Sequence, residues 1–359
     1  MFEPADFQPD HSADVWAIRS EFWNSETGNF KLKRGKRERN STPLILCGHG
    51  VSMRIENGAL VIRDGFTHYP QEQATYRYFR GELSLPPRII LLDGSGTLSF
   101  DVLSWLGEQG VTLARIKWNG EIAVAAAGSG FAADPKKVEW QRNTRADETL
   151  RIAFAADLIR RKLIASIPTL ERHISSSSAK ERALQKADLG IARLSSSVLA
   201  DVKAIYAIEG ECAVAYFAAW QSVSLPWKGT ARKHIPDDWQ GYTSRNSQLS
   251  GKVAKNRMAS NPINAMLNYA YTVRQTQLQI EAVAQGYDPT IGIMHNRHQG
   301  SSAYILDLIE PERPKVDAAI LAFIANRSFT TADFIIRKDG VCRLSPQLAR
   351  ALAVLTAQR

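Results

Sequence analysis

The spacing of apolar residues along this chain changes character once, near residue 126. From Pro43 to about Val124 the apolar residues come in short runs, among them Leu44-Ile-Leu46, Ala59-Leu-Val-Ile62 and Ile89-Ile-Leu-Leu92. Turn formers separate them (Glu56-Asn-Gly58, Asp64-Gly65, Asp93-Gly-Ser-Gly96), which is the pattern of strands. The Asn-Gly pair ahead of Ala59 predicts a tight hairpin. Val111 to Trp118 and Glu121 to Val124 read as further strands around Asn119-Gly120. A single helix is predicted from Ser99 to Gln109, with Leu103 and Leu106 on one face and Gly110 as its stop.

Beyond this region the period becomes helical. The longest candidates are Arg151 to Ile167, Lys180 to Leu194, Ser197 to Ser222 and Asn264 to Gln285. The expected fold is α+β, an N-terminal mostly-β domain followed by an all-helical domain. Its expected divisions are a polar, irregular, basic N-terminal arm (1–42), a β-rich domain (43–125), a Gly/Ala/Pro-rich linker (126–148) and a helical domain (149–359).

Charge sharpens the picture. The 359 residues hold 45 Lys and Arg against 36 Asp and Glu, a formal charge of +9. Such an excess favours polyanionic partners, because phosphate contacts release counterions. Its distribution says more: Trp239 to Ile280 contains no Asp or Glu, yet carries Arg245, Lys252, Lys255, Arg257 and Arg274. Beside Tyr242, Tyr269 and Tyr271 this stretch suits a DNA-binding surface that follows a phosphate backbone. The basic cluster Lys31 to Arg39 is expected to be a solvated arm. No apolar run reaches the roughly eighteen residues of a membrane span, and the opening residues lack the layout of a secretory signal. A cytoplasmic protein is expected. Cys47, Cys212 and Cys342 are scattered, with no close spacing for zinc, and Cys212 is expected in the core.

Two segments put ionisable groups where a plain helix would be apolar. In Val202 to Phe217, Glu209 neighbours Ile205, Tyr206, Cys212 and Ala213 at helical spacing. Burying a carboxylate there is costly without a metal, a cation or hydrogen bonds. Glu211 has equally apolar neighbours, so periodicity leaves the choice between them open. Gly210, costly in mid-helix, hints at close backbone packing. In the second segment His295 closes a short apolar stretch, Ser301 or Ser302 can cap a new helix, and Asp307 and Glu310 share one face of it before Pro311 ends or kinks it. An imidazole and carboxylates from separate segments suit a hard divalent ion, Mg²⁺ or Mn²⁺, able to activate attack on a phosphodiester.

These residues resemble a known family, the CRISPR-associated endonuclease and integrase of spacer acquisition (the "Cas-one" proteins). The likeness runs over roughly residues 43 to 350. It is strongest at Ile208-Glu-Gly210 with Tyr216-Phe217, at Asn261 to Tyr271, and from Gly286-Tyr-Asp-Pro289 through Ile291-Gly-Ile-Met-His295 to Asp307-Leu-Ile-Glu-Pro-Glu-Arg-Pro314. The resemblance implies that Glu209 is the catalytic glutamate and His295 a metal-binding histidine. Asp307 and Glu310 match two acidic positions, one of which completes the metal site. It further implies action on double-stranded and branched DNA, a homodimer formed through the β domain, and a small CRISPR-associated bridging partner. Two other readings stand beside it: the same chemistry in a mobile element, and a non-catalytic nucleic-acid binder.

Overall fold

A computed structural model describes residues 13–30, 38–67, 73–116, 122–125, 133–196, 199–229, 235–245, 249, 258–296 and 302–357. Its described strands form a six-stranded sheet in the N-terminal part. They are β1 (Leu44–Glu56), β2 (Ala59–Arg63), β3 (Thr75–Tyr78), β4 (Arg88–Leu98), β5 (Thr112–Ile116) and β6 (Ile122–Ala125), in the order β3-β2-β1-β4-β5-β6. The β1–β4 and β4–β5 pairs are parallel and the others antiparallel. Asn57 and Gly58, both at positive φ, make the two-residue turn that pairs Glu56 with Ala59, the geometry an Asn-Gly pair favours.

Asp93-Gly-Ser-Gly96 is not a turn. β4 runs through it, and its pairing with β1 slips on either side of His49. The glycines are there because backbones meet: a Cβ on Gly94 would lie 2.3 Å from the Gly48 carbonyl oxygen, and one on Gly96 2.0 Å from that of Val51. The expected helix is present as a helix over Phe100–Gln109, capped at Gly110 in the left-handed region. It packs Val102, Trp105 and Leu106 on one sheet face.

The other sheet face is covered from the C-terminal half, which joins the two parts of the chain into one packed unit. Ile45, Cys47, Ile90, Leu92 and Ile116 meet Val273, Ala353 and Val354. In chain order the helices are α1 (Ala13–Asn29), α2 (Phe100–Gln109), α3 (Pro135–Ala146), α4 (Glu148–His173), α5 (Ser178–Ser196), α6 (Val202–Ala219), α7 (Pro262–Ala284), α8 (Ala303–Ile309), α9 (Arg313–Ala325) and α10 (Pro346–Ala357). The α+β order is as expected. A short hairpin, β7 (Phe334–Ile336) with β8 (Cys342–Leu344), interrupts the otherwise helical part.

Several expectations need correction. Within the expected irregular arm, residues 13–29 form α1, whose Trp23 is fully buried, stacks on Phe323 and donates to the Asp333 carboxylate. Its inward face also carries Ser20 and Thr27, so the hydropathy pattern is too weak to announce a helix. Residues 31–37 of the basic cluster lie outside the described residues. Within the expected linker, α3 starts behind an Asp134 cap with Pro135 at its first turn. α6 begins at Val202 behind Asp201, later than periodicity placed it. Gly210 has open space around its missing Cβ; the glycine that permits close helix packing is Gly190, against Cys212 and Leu163. All three cysteines are buried and free. Among the described residues, no helix is long and apolar enough to cross a membrane.

Candidate active site

The site begins with the buried stripe of α6. Ile205, Ile208 and Cys212 pack against Leu158, Ile159 and Leu163 of α4. Each helical residue turns about 100° from the last, so Glu209 falls at the edge of that stripe and Glu211 beyond it. Glu211 stands in solvent, paired with Lys186 at 3.4 Å and Arg193 at 3.3 Å. Glu209 turns inward instead. Its Oε1 accepts from the Lys162 ammonium of α4 at 2.5 Å, and the same ammonium reaches Glu310 Oε2 at 2.6 Å.

Glu310 sits in the 3₁₀ turn between α8 and α9 that Pro311 enforces, because proline prevents the α8 ladder from continuing. Its other oxygen accepts from Arg313 Nε at 3.0 Å. Burial alone would push the Glu310 carboxyl up, but the charges of Lys162 and Arg313 pull it down to about 2. Glu310 is therefore a buried acid that keeps its charge.

Asp307, one turn earlier, has no exposed surface and faces a different neighbour. Its carboxylate accepts the backbone N–H of Ile293 (2.6 Å), Met294 (3.2 Å) and His295 (2.8 Å), and meets Nδ1 of the His295 ring at 2.8 Å. A carboxylate accepting on every side makes Nδ1 the donor, which leaves the Nε2 lone pair free to bind. The carbonyls of the same loop are held from the opposite side. Arg151 donates to Ile293 O at 2.9 Å, Arg145 to the carbonyls of Gly292 and His295, and Tyr206 to Met294 O at 3.0 Å. Buried Gln141 bonds both backbone groups of Asp288 and the carbonyl of Ile291. Gly292 is required, since a Cβ there would lie 2.6 Å from His295 O and 2.7 Å from Ala303 Cβ.

Glu209 and Glu310 thus meet at Lys162 from α6 and the α8–α9 turn, and His295, fixed by Asp307, lies beside α6 with its ring edge-on to Tyr206 at 6.2 Å between centroids. Two carboxylates and an open imidazole nitrogen are the donor types of a hard divalent ion. Among the described residues, no three of His, Cys, Asp and Glu converge closely enough to hold a metal as they stand. The cation between the carboxylates is the Lys162 ammonium. The donors fit a divalent ion in kind, with that ammonium in its place.

The acid-free stretch fares differently. Arg245 lies over Tyr271 and donates to Asn264 Oδ1 at 3.3 Å and Asn268 Oδ1 at 2.7 Å. Tyr242 and Tyr271 are buried in the helical core, so they offer no face to a base. Lys252, Lys255 and Arg257 lie outside the described residues. Sequence reasoning missed Lys162, Arg145, Arg151, Gln141 and Tyr206. For Lys162 a signal existed: a lysine between Leu158, Ile159, Leu163 and Ser166 on the inward face of a helix, the same anomaly that marked Glu209. The guanidinium–carbonyl contacts of Arg145 and Arg151 span far too much sequence to leave one.

The family model for CRISPR associated protein Cas1 matches residues 44–357. A CRISPR-associated endonuclease Cas1 of Archaeoglobus fulgidus is 23% identical over 330 residues, covering 88% of this chain and 87% of that protein. A Cas4 exonuclease/Cas1 endonuclease fusion of Rhodospirillum rubrum is 30% identical over 217 residues, 59% of this chain and only 34% of the fusion. A Cas1 endonuclease of Methanospirillum hungatei is 30% identical over 152 residues, 42% of this chain and 40% of that protein. Among solved structures, a casposase bound to its integration product superposes with a TM-score of 0.68 at 22% identity, over 88% of this chain and 81% of that one. A Cas1 protein from Thermotoga maritima gives 0.63 at 15% identity, over 88% of each chain. The fold is shared with both, and the match over residues 44–357 places the chain in the family: it belongs to the CRISPR-associated Cas1 proteins.

Proposed function

We propose that this chain is a metal-dependent DNA endonuclease and integrase that joins 3′-hydroxyl ends of short DNA to opposite strands of a repeat. The observation that carries the reading is the meeting of Glu209 and Glu310 around one cationic position, beside a histidine whose free nitrogen is set by Asp307. In this reading Glu209, Glu310 and His295 Nε2 hold Mg²⁺ or Mn²⁺, and Asp307 orients His295 without touching the ion. The bound ion would polarise the phosphodiester and activate water or a 3′-hydroxyl for in-line attack. The chain's own part is to fix those donors. Asp307 takes up the N–H groups of the His295 loop while Arg145 and Arg151 take up its carbonyls, so the imidazole cannot turn away.

The substrate is double-stranded or branched DNA, consistent with the net positive charge and with a fold shared with a casposase solved on its integration product. Lys252, Lys255 and Arg257 contact phosphates, and Arg245, already engaged by Asn264 and Asn268, adds less to that contact. The protein works in the cytoplasm as a homodimer joined through the β-rich residues 43–125, with residues 149–359 as the catalytic part. A small CRISPR-associated partner bridges two dimers; a chain of a solved Cas6-RT-Cas1–Cas2 complex shares this fold at a TM-score of 0.65.

The test is cleavage and strand joining on branched DNA with Mn²⁺, Mg²⁺ or neither. Wild type should act only with metal. Glu209→Ala and His295→Ala should each lose about a hundredfold or more while remaining folded, because an ion without its ligands no longer stabilises the attack. Glu211→Ala should be near wild type. Metal-independent binding with no cleavage would leave the non-catalytic reading in its place.

A further inference from the structure

We propose that Lys162 is an exchangeable occupant of the cation position, so that a divalent ion enters this site by displacing the lysine ammonium. The inference rests on the metal-binding reading above and goes further, naming the group against which the ion must compete.

Lys162 reaches the site from α4, while its two partners come from α6 and the α8–α9 turn. Its ammonium lies 2.5 Å from one carboxylate and 2.6 Å from the other, in the gap between them. Both contacts are charge-assisted, so two acids that would otherwise repel are held together by one positive charge. No divalent ion can share that gap with an ammonium. The balance of charge favours exchange. Glu310 keeps Arg313 as a second partner, so it is not abandoned when Lys162 leaves. An ion of twice the charge can then gain His295 Nε2 as a neutral third donor, while the ammonium spends its hydrogen bonds on the two carboxylates. The means of exit are present as well. The Lys162 side chain is 17% exposed and that of Glu209 24%, so neither side chain is wholly closed off from solvent. Lysine's long unbranched stem can swing its charge to water without moving α4.

A permanent salt bridge predicts the opposite response. If Lys162 were only a pillar for the two carboxylates, its removal would spoil the ligand geometry and weaken the metal. If it is a competitor, its removal leaves two facing carboxylates with Arg313 alone beside them, and the metal binds more tightly.

Calorimetric titration of the full chain with Mn²⁺ and no DNA, for wild type, Lys162→Met and Glu209→Gln, decides between them. Lys162→Met should bind Mn²⁺ about tenfold more tightly or better, and should melt at a lower temperature without metal but gain more from it than wild type. Equal or weaker binding by a folded Lys162→Met overturns the proposal. Absence of Mn²⁺ binding by wild type and Lys162→Met alike overturns the metal reading with it, whereas binding by wild type that Glu209→Gln loses keeps that reading whatever Lys162→Met does. Wild type offers a second measurement that does not depend on the variant's folding. Acylation of Lys162 by an amine-reactive reagent, followed by mass spectrometry, should rise severalfold when Mn²⁺ is added. Protection that is unchanged at saturating Mn²⁺ would mean that the ammonium never leaves.

Discussion

Two of the acids buried in the helical part, Glu310 and Asp317, lie about two turns apart in the chain and behave in opposite ways. Glu310 is surrounded by cations, Lys162 and Arg313, and its carboxyl is pulled down to about 2. Asp317 is met by neutral donors instead. It accepts from the phenols of Tyr216 (3.0 Å) and Tyr271, with Arg245 and Arg313 acting only from farther off. Burial there outweighs the two hydrogen bonds, and the carboxyl is pushed up to about 6. Neutral donors satisfy a carboxylate's lone pairs but do not make up for the loss of hydration, whereas full charges do. The first arrangement holds an anion ready for another cation. The second knits α6, α7 and α9 together in the core, where both phenols are occupied by the acid they serve.

The comparison breaks most visibly within the first cluster, at the two acids that share α8 and the turn after it. Glu310→Gln should abolish Mn²⁺ binding and strand joining almost completely. Asp307→Asn should cost about 10–100-fold in affinity, the range for a residue that acts through a ligand. A Mn²⁺ titration of both variants checks this, and reversed results would exchange the two roles.

Stability against pH sharpens the contrast between the clusters, since the two acids have opposite signs. Glu310 lies below its ordinary 4.5, so its contribution is present above that value and is lost as pH falls toward 2. Asp317 lies above its ordinary 3.8, so the folded form is favoured below that value and loses stability as pH rises through about 6. Asp317→Asn should remove this loss, on the order of 1–3 kcal/mol between pH 4 and 7, and leave Mn²⁺ affinity unchanged. Urea melts across that range would show it; an unaltered slope would mean that Asp317 is not the buried group responsible.

The smallest effects concern cations outside both clusters. Replacing Lys252, Lys255 or Arg257 by Ala should weaken DNA binding equally for all sequences and lower the salt slope by about one for each phosphate that is no longer neutralised. Arg245→Ala should do less to the slope and more to stability, because that guanidinium is already engaged by Asn264 and Asn268. Equal slopes for all four would place Arg245 on the DNA like the others.

Local pattern alone determined the strand-rich then helical order, the Asn57-Gly58 turn, the stop at Gly110, and the two segments that carry Glu209, His295, Asp307 and Glu310. Each of these follows from neighbours within a few residues: φ freedom at a glycine, the helical period, or a charge among apolar side chains. Residues 13–29 escaped because their buried face mixes Trp23 with Ser20 and Thr27, and the glycines around Gly94 looked like a turn because close approach of two strands leaves the same residue type. Helical periodicity could not separate Glu209 from Glu211, since both sit among apolar residues. Only the packing of α6 on α4 turned one toward Lys162 and the other toward Lys186 and Arg193. The different partners of Asp307 and Glu310, the clamp on the His295 loop and the lysine between the carboxylates were likewise decided by tertiary structure. They join groups that lie tens to hundreds of residues apart, and short-range periodicity carries no information about which distant side chain a buried charge will meet.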